Sequence, residues 1–271
     1  MAVISTNIAA MRAHNSSRIA DKTLANSMER LSTGKRINSA KDDAAGLALA
    51  SKLAARIAGV NQTVRNANDG ISAAQIGEGA MAEIANILTR LRELAVQSAS
   101  GTMSDADRTN TVVLEATALT AQITNIAGQT EFNGVALLGA DTTLNIQTGL
   151  ATTQTSAVLF KGMTLALIGI DTLSLTNTTN ASLALGLIDT GITYVATARS
   201  TLGSAQAGLE TVVNNQTINA LNTSEAKSRI EDADFSVESS RLASAQIIAQ
   251  AATAMLAQAN QSQQGVLNLL R

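Results

Sequence analysis

Cysteine, proline and tryptophan are absent from this sequence of 271 residues, and its aromatics are Tyr194, Phe132, Phe160 and Phe235. Without cysteine there is no disulfide, no thiolate metal site and no cysteine nucleophile. The compartment stays open, because disulfide-free chains occur both inside and outside cells. Without proline, nothing obliges a helix to break. The apolar content is mostly Ala with Leu, Ile and Val. Small side chains suit close helix–helix contact along a seam better than a thick core, so an elongated molecule is expected. The net charge of −2 and pI of about 5.5 supply no basic field for nucleic acid. No apolar run approaches the roughly 20 residues that span a bilayer. Runs such as Leu165 to Ile170 are far too short, so no membrane insertion is expected. The opening MAVISTNIAAMRAHN has no continuous apolar stretch and is not a cleavable secretory signal. Export, if it occurs, would take another route.

What the sequence does contain is apolar spacing of three and four. It runs Leu47, Ala50, Ala54, Ile57, Asn61, Val64, Asn68, Ile71, then Met81, Ile84, Leu88, Leu91, Ala95. This predicts one helix over about 44–99, roughly 80 Å at 1.5 Å per residue. Gly59, Gly70, Gly77 and Gly79 weaken it by about 1 kcal/mol each relative to Ala, which tertiary packing must offset. Gly101 breaks the pattern, and Ser104 is a candidate N-cap with Asp107 in the first turn. A second helix follows, with Val112, Ala116, Leu119, Ile123 and Ile126 on one face, ending at Gly128. The short link predicts an antiparallel return. Asn133-Gly134 is a turn pair, and LNIQT and TLALIGI read as short extended pieces in a small β region at about 130–185. Helical spacing returns at Ile188, Ile192, Val195, Ala198, Leu202, Ala205, Leu209 and Val212, up to a polar stretch at about Asn214–Asn222.

The C-terminal segment carries a heptad pattern, Ala245, Ile248, Ala252, Met255, Ala259, Ser262, Val266, Leu269. The N-terminal segment offers Ile4, Ile8, Met11, Leu24, Met28 and Leu31. Apolar stripes of this kind either pair with each other or await copies of the same chain. An ordinary helical bundle with docked termini fits the pattern as well.

Residues able to do chemistry are few. His14 is the sole histidine and sits in a polar stretch, with nothing to hold it as a general base. One His and no Cys leave too few preferred ligands for zinc. Asp42-Asp43 and Glu231-Asp232-Asp234 read as helix-start charges and ion-pair partners for Lys35, Arg36, Lys41 and Arg229. The glycines match neither a P-loop nor a dinucleotide fingerprint. Lys35-Arg36 is too small a cluster for nucleic acid. Asn177 and Asn180 each open an N-glycosylation triplet, a weak match in a Thr-rich stretch. No enzyme activity and no cofactor are expected.

Four strings carry a more specific signal. SMERLSTGKRINSAKDDAAGLALASKL (27–53), LRELAVQSASGT (91–102), QTEFNGVALL (129–138) and SRIEDADFSVESSRLASAQIIAQAATAMLAQANQSQQGVLNLLR (228–271) closely resemble the terminal signatures of bacterial flagellins. The resemblance covers roughly 1–140 and 185–271. It departs from the usual pattern at Val112-Val113-Leu114 and fades over 141–185.

The resemblance implies a mainly α fold. An antiparallel helical bundle or coiled coil would form from both termini, with a small β-hairpin region in the middle. Residues 1–44 with 226–271 would form the inner filament layer, and 45–225 a rod-like helical domain, with no large outer domain. It implies a subunit that polymerises with itself into the extracellular flagellar filament for motility. Export would use the flagellar type III route without a cleaved signal. A hook–filament junction protein of the same family is the alternative. Implied partners are an export chaperone, the cap and hook-junction proteins, and the Toll-like flagellin receptor. The polymerisation seam would comprise Ile4, Ile8, Met11, Leu24, Met28, Leu31, Ile248, Met255, Val266 and Leu269. Receptor contact would fall to Arg90, Leu94 and Gln97 on one helical face and, allowing one extra residue in the preceding loop, Glu115 on the return helix.

Overall fold

A computed structural model of the chain describes residues 6–269, with side chains described through 265. It divides into two compact units, residues 1–57 with 222–271, and residues 58–221. The division falls inside two long helices.

The first unit is built on α1 (Ile8–Thr33) and α7 (Phe235–Leu269). Asn7 caps α1 by accepting the Ala10 N–H, and Gly34 closes it with a left-handed φ of 70°. The pair is antiparallel: Asn7 Nδ2 donates to the Ala259 carbonyl, and Ser27 Oγ donates to Glu238 Oε1. The first turns of α2 (Ala44–Ala99) and the last of α6 (Thr178–Glu231) belong to the same unit. Asp43 caps α2 by accepting the Gly46 N–H at 2.8 Å. Asp234 caps α7 by accepting the N–H groups of Ser236 and Val237. The Arg36 N–H donates to the Glu231 carbonyl at 2.6 Å, and the Ala233 N–H to the Gly34 carbonyl at 2.9 Å. The loop after α1 is thereby tied to the break between α6 and α7.

The second unit packs α2 against α4 (Val113–Gln129) and α6, both antiparallel to it. Ion pairs mark the alignment: Arg90–Glu115 to α4, Arg92–Asp189 and Glu78–Arg199 to α6. Ser104 accepts the Asp107 N–H and starts a short α3 (Asp105–Asp107), followed by one π turn (Arg108–Val112). The Arg108 guanidinium is buried there, donating to the carbonyls of Ser98 and Ser100. The core comprises Met81, Ile84, Leu88, Leu91, Ile123, Val195, Leu202 and Leu209, closed at the β region by Phe160 and Met163.

Two small antiparallel pairs lie between α4 and α6. Strands β1 (Glu131–Phe132) and β2 (Val135–Ala136) turn at Asn133 and Gly134, with φ of 50° and 78°, as two-residue hairpin turns require. Strands β3 (Thr142–Gln147) and β4 (Thr155–Phe160) pair in the register Leu144↔Val158, with Ile146, Val158 and Phe160 on the buried face. Gly70 and Gly77 of α2 face this region. A Cβ on Gly77 would sit 2.9 Å from the Phe160 ring, and one on Gly70 2.9 Å from Ile146 Cγ1. Their helical cost admits the β3–β4 pair onto the helix backbone.

Three local expectations fail. TLALIGI is not extended: Thr164 accepts the Leu167 N–H and Gly169 adopts φ of 84°, so both ends are capped around the one-turn α5 (Leu165–Ile168). The second long strand is Thr155–Phe160 instead. The polar stretch Asn214–Asn222 does not interrupt α6, since it contains no Gly or Pro and its Asn and Thr side chains can face water. The core face of the first half of α2 is Val60, Thr63, Ala67, Gly70 and Ala74, one residue off from Asn61, Val64, Asn68 and Ile71. Burying Ala67 leaves Asn68 in water. By length and composition α6 could cross a membrane, but Ile188, Val195, Leu202 and Leu209 are buried in the protein core.

Candidate functional site

The terminal pair α1–α7 is unusual in what it buries. From α1 the buried positions are Ala13, Ala20 and Ser27; from α7 they are Glu238, Ala245, Ala252 and Ala259. Both series advance by seven residues, the repeat of a coiled-coil seam. Side chains this small let the two backbones approach closely, but each contributes only about a methyl group of burial, roughly 0.8 kcal/mol.

The large apolar residues of the same helices point outward. Met11 is 65% exposed, Ile19 56%, Met28 56%, Ile247 67% and Met255 63%, with Ile8 and Ile248 near half. An exposed apolar row of this kind has the character of an interaction face. Between the helices an open groove of about 600 Å³ is lined by Ala9, Arg12 and Ala13 of α1 and by Ile248, Ala252 and Met255 of α7.

Of the seam residues expected from sequence, Ile8, Met11, Met28, Ile248 and Met255 are exposed and Leu24 and Leu31 half-buried. Ile4 and the side chains of Val266 and Leu269 lie outside the described residues. Sequence reasoning missed Ile19 and Ile247 on the outward face, and Ala13, Ala20 and Ser27 on the inward one. The signal was there in the seven-residue spacing of small residues, but large residues drew the reading. One buried charge belongs to the seam. Glu238 accepts from Ser27 Oγ at 2.6 Å and meets Arg241 at 3.3 Å and Arg30 at 3.7 Å.

The residues matched to receptor contact differ in exposure. Arg90, Gln97 and Glu115 are exposed, and Arg90 Nε donates to Glu115 at 2.8 Å and its second nitrogen to Glu93 at 2.9 Å. Leu94 is 2% exposed, because it falls in the core stripe with Leu91 and Ala95. His14 is exposed on α1. Asn177 accepts the Asn180 N–H as the cap of α6. Among the described residues no three His, Cys, Asp or Glu side chains converge as metal ligands.

Charge also holds the loop after α1 to the break between α6 and α7. Lys35 Nζ lies 2.6 Å from Glu231 Oε1 and Lys227 3.4 Å from Oε2. Lys35 holds the Glu231 carboxyl below its ordinary range, with Lys227 assisting. Asp42 is likewise lowered, by the Ser39 N–H and then the Ser39 hydroxyl. A carboxylate lowered in the folded state stabilises it above the unfolded value of about 4, and that stability is lost as pH falls through the folded value. The thermal stability of the terminal helices is therefore expected to fall as pH drops from about 5 to about 2. Glu231→Gln should flatten that acid limb, as read by circular dichroism at pH 7 and pH 3. An acid limb identical to wild type would assign the effect elsewhere.

Comparison with known proteins gives this arrangement a family. Residues 4–143 match the bacterial flagellin N-terminal helical region, and residues 185–270 the bacterial flagellin C-terminal helical region. The flagellar filament 31.3 kDa core protein of Treponema maltophilum is 36% identical over 286 residues, covering 99% of this chain and all of that one. The flagellin of Halalkalibacterium halodurans is 40% identical over 276 residues, with the same coverage. A solved putative flagellar hook-associated protein from Vibrio parahaemolyticus shares the fold at a TM-score of 0.60 and 14% identity, covering 70% of this chain and all of that one. Two matched helical regions flanking a short unmatched middle, and relatives of like length aligned end to end, show that this chain belongs to the bacterial flagellin family, as a short form without large outer domains.

Proposed function

We propose that this chain polymerises with copies of itself into the extracellular flagellar filament, through the outward apolar faces of α1 and α7. One observation carries the reading: among the described residues, the positions the two long helices bury fully are alanine, serine and one glutamate, while seven Ile and Met side chains stay about half exposed or more. A row of this kind is stable on a free monomer only at a cost that identical neighbours would remove. Residues 1–44 with 226–271 then form the inner layer of the filament and 45–225 the layer outside it. The hook–filament junction role is disfavoured, since the likeness to a hook-associated protein is one of fold at 14% identity. Purified protein mixed with short filament seeds should extend them, as seen in negative stain. Soluble protein that never extends seeds would retire the reading.

The same family reading supplies the remaining partners. An export chaperone would cover the apolar face of α7 before assembly, export would follow the flagellar type III route without a cleaved signal, and the cap and hook-junction proteins would meet the filament ends. For the Toll-like flagellin receptor, Arg90, Gln97 and Glu115 offer a charged exposed patch, and Leu94 would contribute only by holding α2 in place. Arg90→Ala is expected to weaken receptor binding by at least about 1 kcal/mol. Titration of monomer against the receptor ectodomain measures it, and equal affinities for mutant and wild type would remove Arg90 from the contact.

A further inference from the structure

We propose that Met11, Met28 and Met255 make assembly sensitive to oxidation: their conversion to sulfoxide in the unpolymerised chain blocks filament growth, and reduction restores it. The proposal rests on the reading that subunits meet through the outward faces of α1 and α7.

The chain has seven methionines and no cysteine or tryptophan, so thioethers are its principal targets for peroxide. Their placement is uneven. Met81 and Met163 are fully buried in the core of residues 58–221, and Met103 is half-buried. Met11, Met28 and Met255 are 65%, 56% and 63% exposed, and all three lie on the terminal helices. Met255 also lines the groove between those helices. Among the described residues, the most accessible sulfurs therefore occupy the face proposed to become dry on assembly.

The chemistry is simple. A thioether lone pair attacks one oxygen of hydrogen peroxide, the O–O bond breaks, and the departing hydroxide takes up the proton left on the transferred oxygen to become water. Sulfur loses two electrons and the peroxide gains them. The sulfoxide oxygen is a strong acceptor. On the free monomer water satisfies it and the fold is undisturbed. In a dry subunit contact it is left without a donor. Once the subunits are joined the same sulfurs are covered, so an assembled filament should resist the treatment that disables its monomers.

The test is seeded growth of the full chain after peroxide treatment. Treatment continues until peptide mass mapping shows one added oxygen at Met11, Met28 and Met255 and none at Met81 or Met163. Growth should fall about tenfold or more, with an unchanged far-ultraviolet circular dichroism spectrum, and methionine sulfoxide reductases A and B together should restore it. A triple variant, Met11→Leu, Met28→Leu and Met255→Leu, keeps volume and apolarity and should grow equally before and after peroxide. Oxidised wild type growing at the untreated rate overturns the proposal. So does a triple variant that loses growth on oxidation, or a loss the reductases do not reverse. If the triple variant fails to grow untreated, the reductase arm on wild type decides. Untreated wild type that fails on seeds overturns the filament reading itself, and this proposal with it.

Discussion

Removing residues 250–271 is expected to abolish filament growth while leaving residues 58–221 folded. The cut takes Ala252 and Ala259 from the buried seam and Met255 from the outward face. It also removes the Ala259 carbonyl that accepts from Asn7. What remains of α7, Phe235 to Ala249, is less than half of its 35 residues, and isolated helices of about 12–15 residues are marginal in water. The N-terminal half of α1 loses its partner over the same turns. The core around Met81, Leu88 and Leu202 contains no residue from the deleted segment. Electron microscopy of seeded reactions reads the first effect. A circular dichroism melt reads the second, as a retained cooperative transition with reduced helical amplitude. Filaments of normal length from the truncated chain would remove the terminal pair from the assembly mechanism.

Leu88→Ala is expected to destabilise the unit spanning residues 58–221 by about 2–5 kcal/mol. Leu88 has no exposed surface and lies in the α2 stripe with Ile84 and Leu91, within the core shared with α4 and α6. Truncation leaves a cavity between rigid helices that are also clamped by the β3–β4 pair, so collapse into it is limited. Against a typical total of about 5–15 kcal/mol, a loss of that size is a large fraction. Leu114→Ala is the matched control. Leu114 is 65% exposed on α4, and its truncation should change stability by no more than about 0.5 kcal/mol. Urea unfolding of both variants measures the difference. Equal midpoints for the two would mean that burial, as described, does not set stability here.

The contrast between the two units explains what could be read ahead of the structure. Over Met81, Ile84, Leu88, Leu91 and Ala95 the helical spacing and the buried face coincide, because large side chains at three-four intervals leave one way to face a core. The start of α2 near residue 44 was legible from spacing and the cap at Ser104 from its residue type, while the end expected at Gly128 falls one residue short of the observed Gln129. Periodicity failed where side chains are small. In the first half of α2, Ala, Thr and Gly compete for the interior on nearly equal terms, and the β3–β4 pair selects the face carrying Gly70 because it needs the space. The same ambiguity affects the terminal helices, where the spacing marked Ala252 and Ala259 alongside Ile248 and Met255 without Ala13 and Ala20, and it is the alanines that are buried within the chain.

By itself the sequence determined the long helices, the first hairpin turn and the family. Absent proline allows helices of 56 and 54 residues, the Asn133-Gly134 pair marks a hairpin turn, and the terminal strings resemble those of flagellins. These are local properties, carried by backbone preference and by residue order. Only the tertiary structure decided which side of each helix is spent within the chain. That choice depends on how closely two backbones can approach, and it compares alternatives many residues apart. In the terminal helices it selected alanine for the inside, which brings α1 and α7 close together and leaves Met11, Met28 and Met255 in water, free to be covered by another copy.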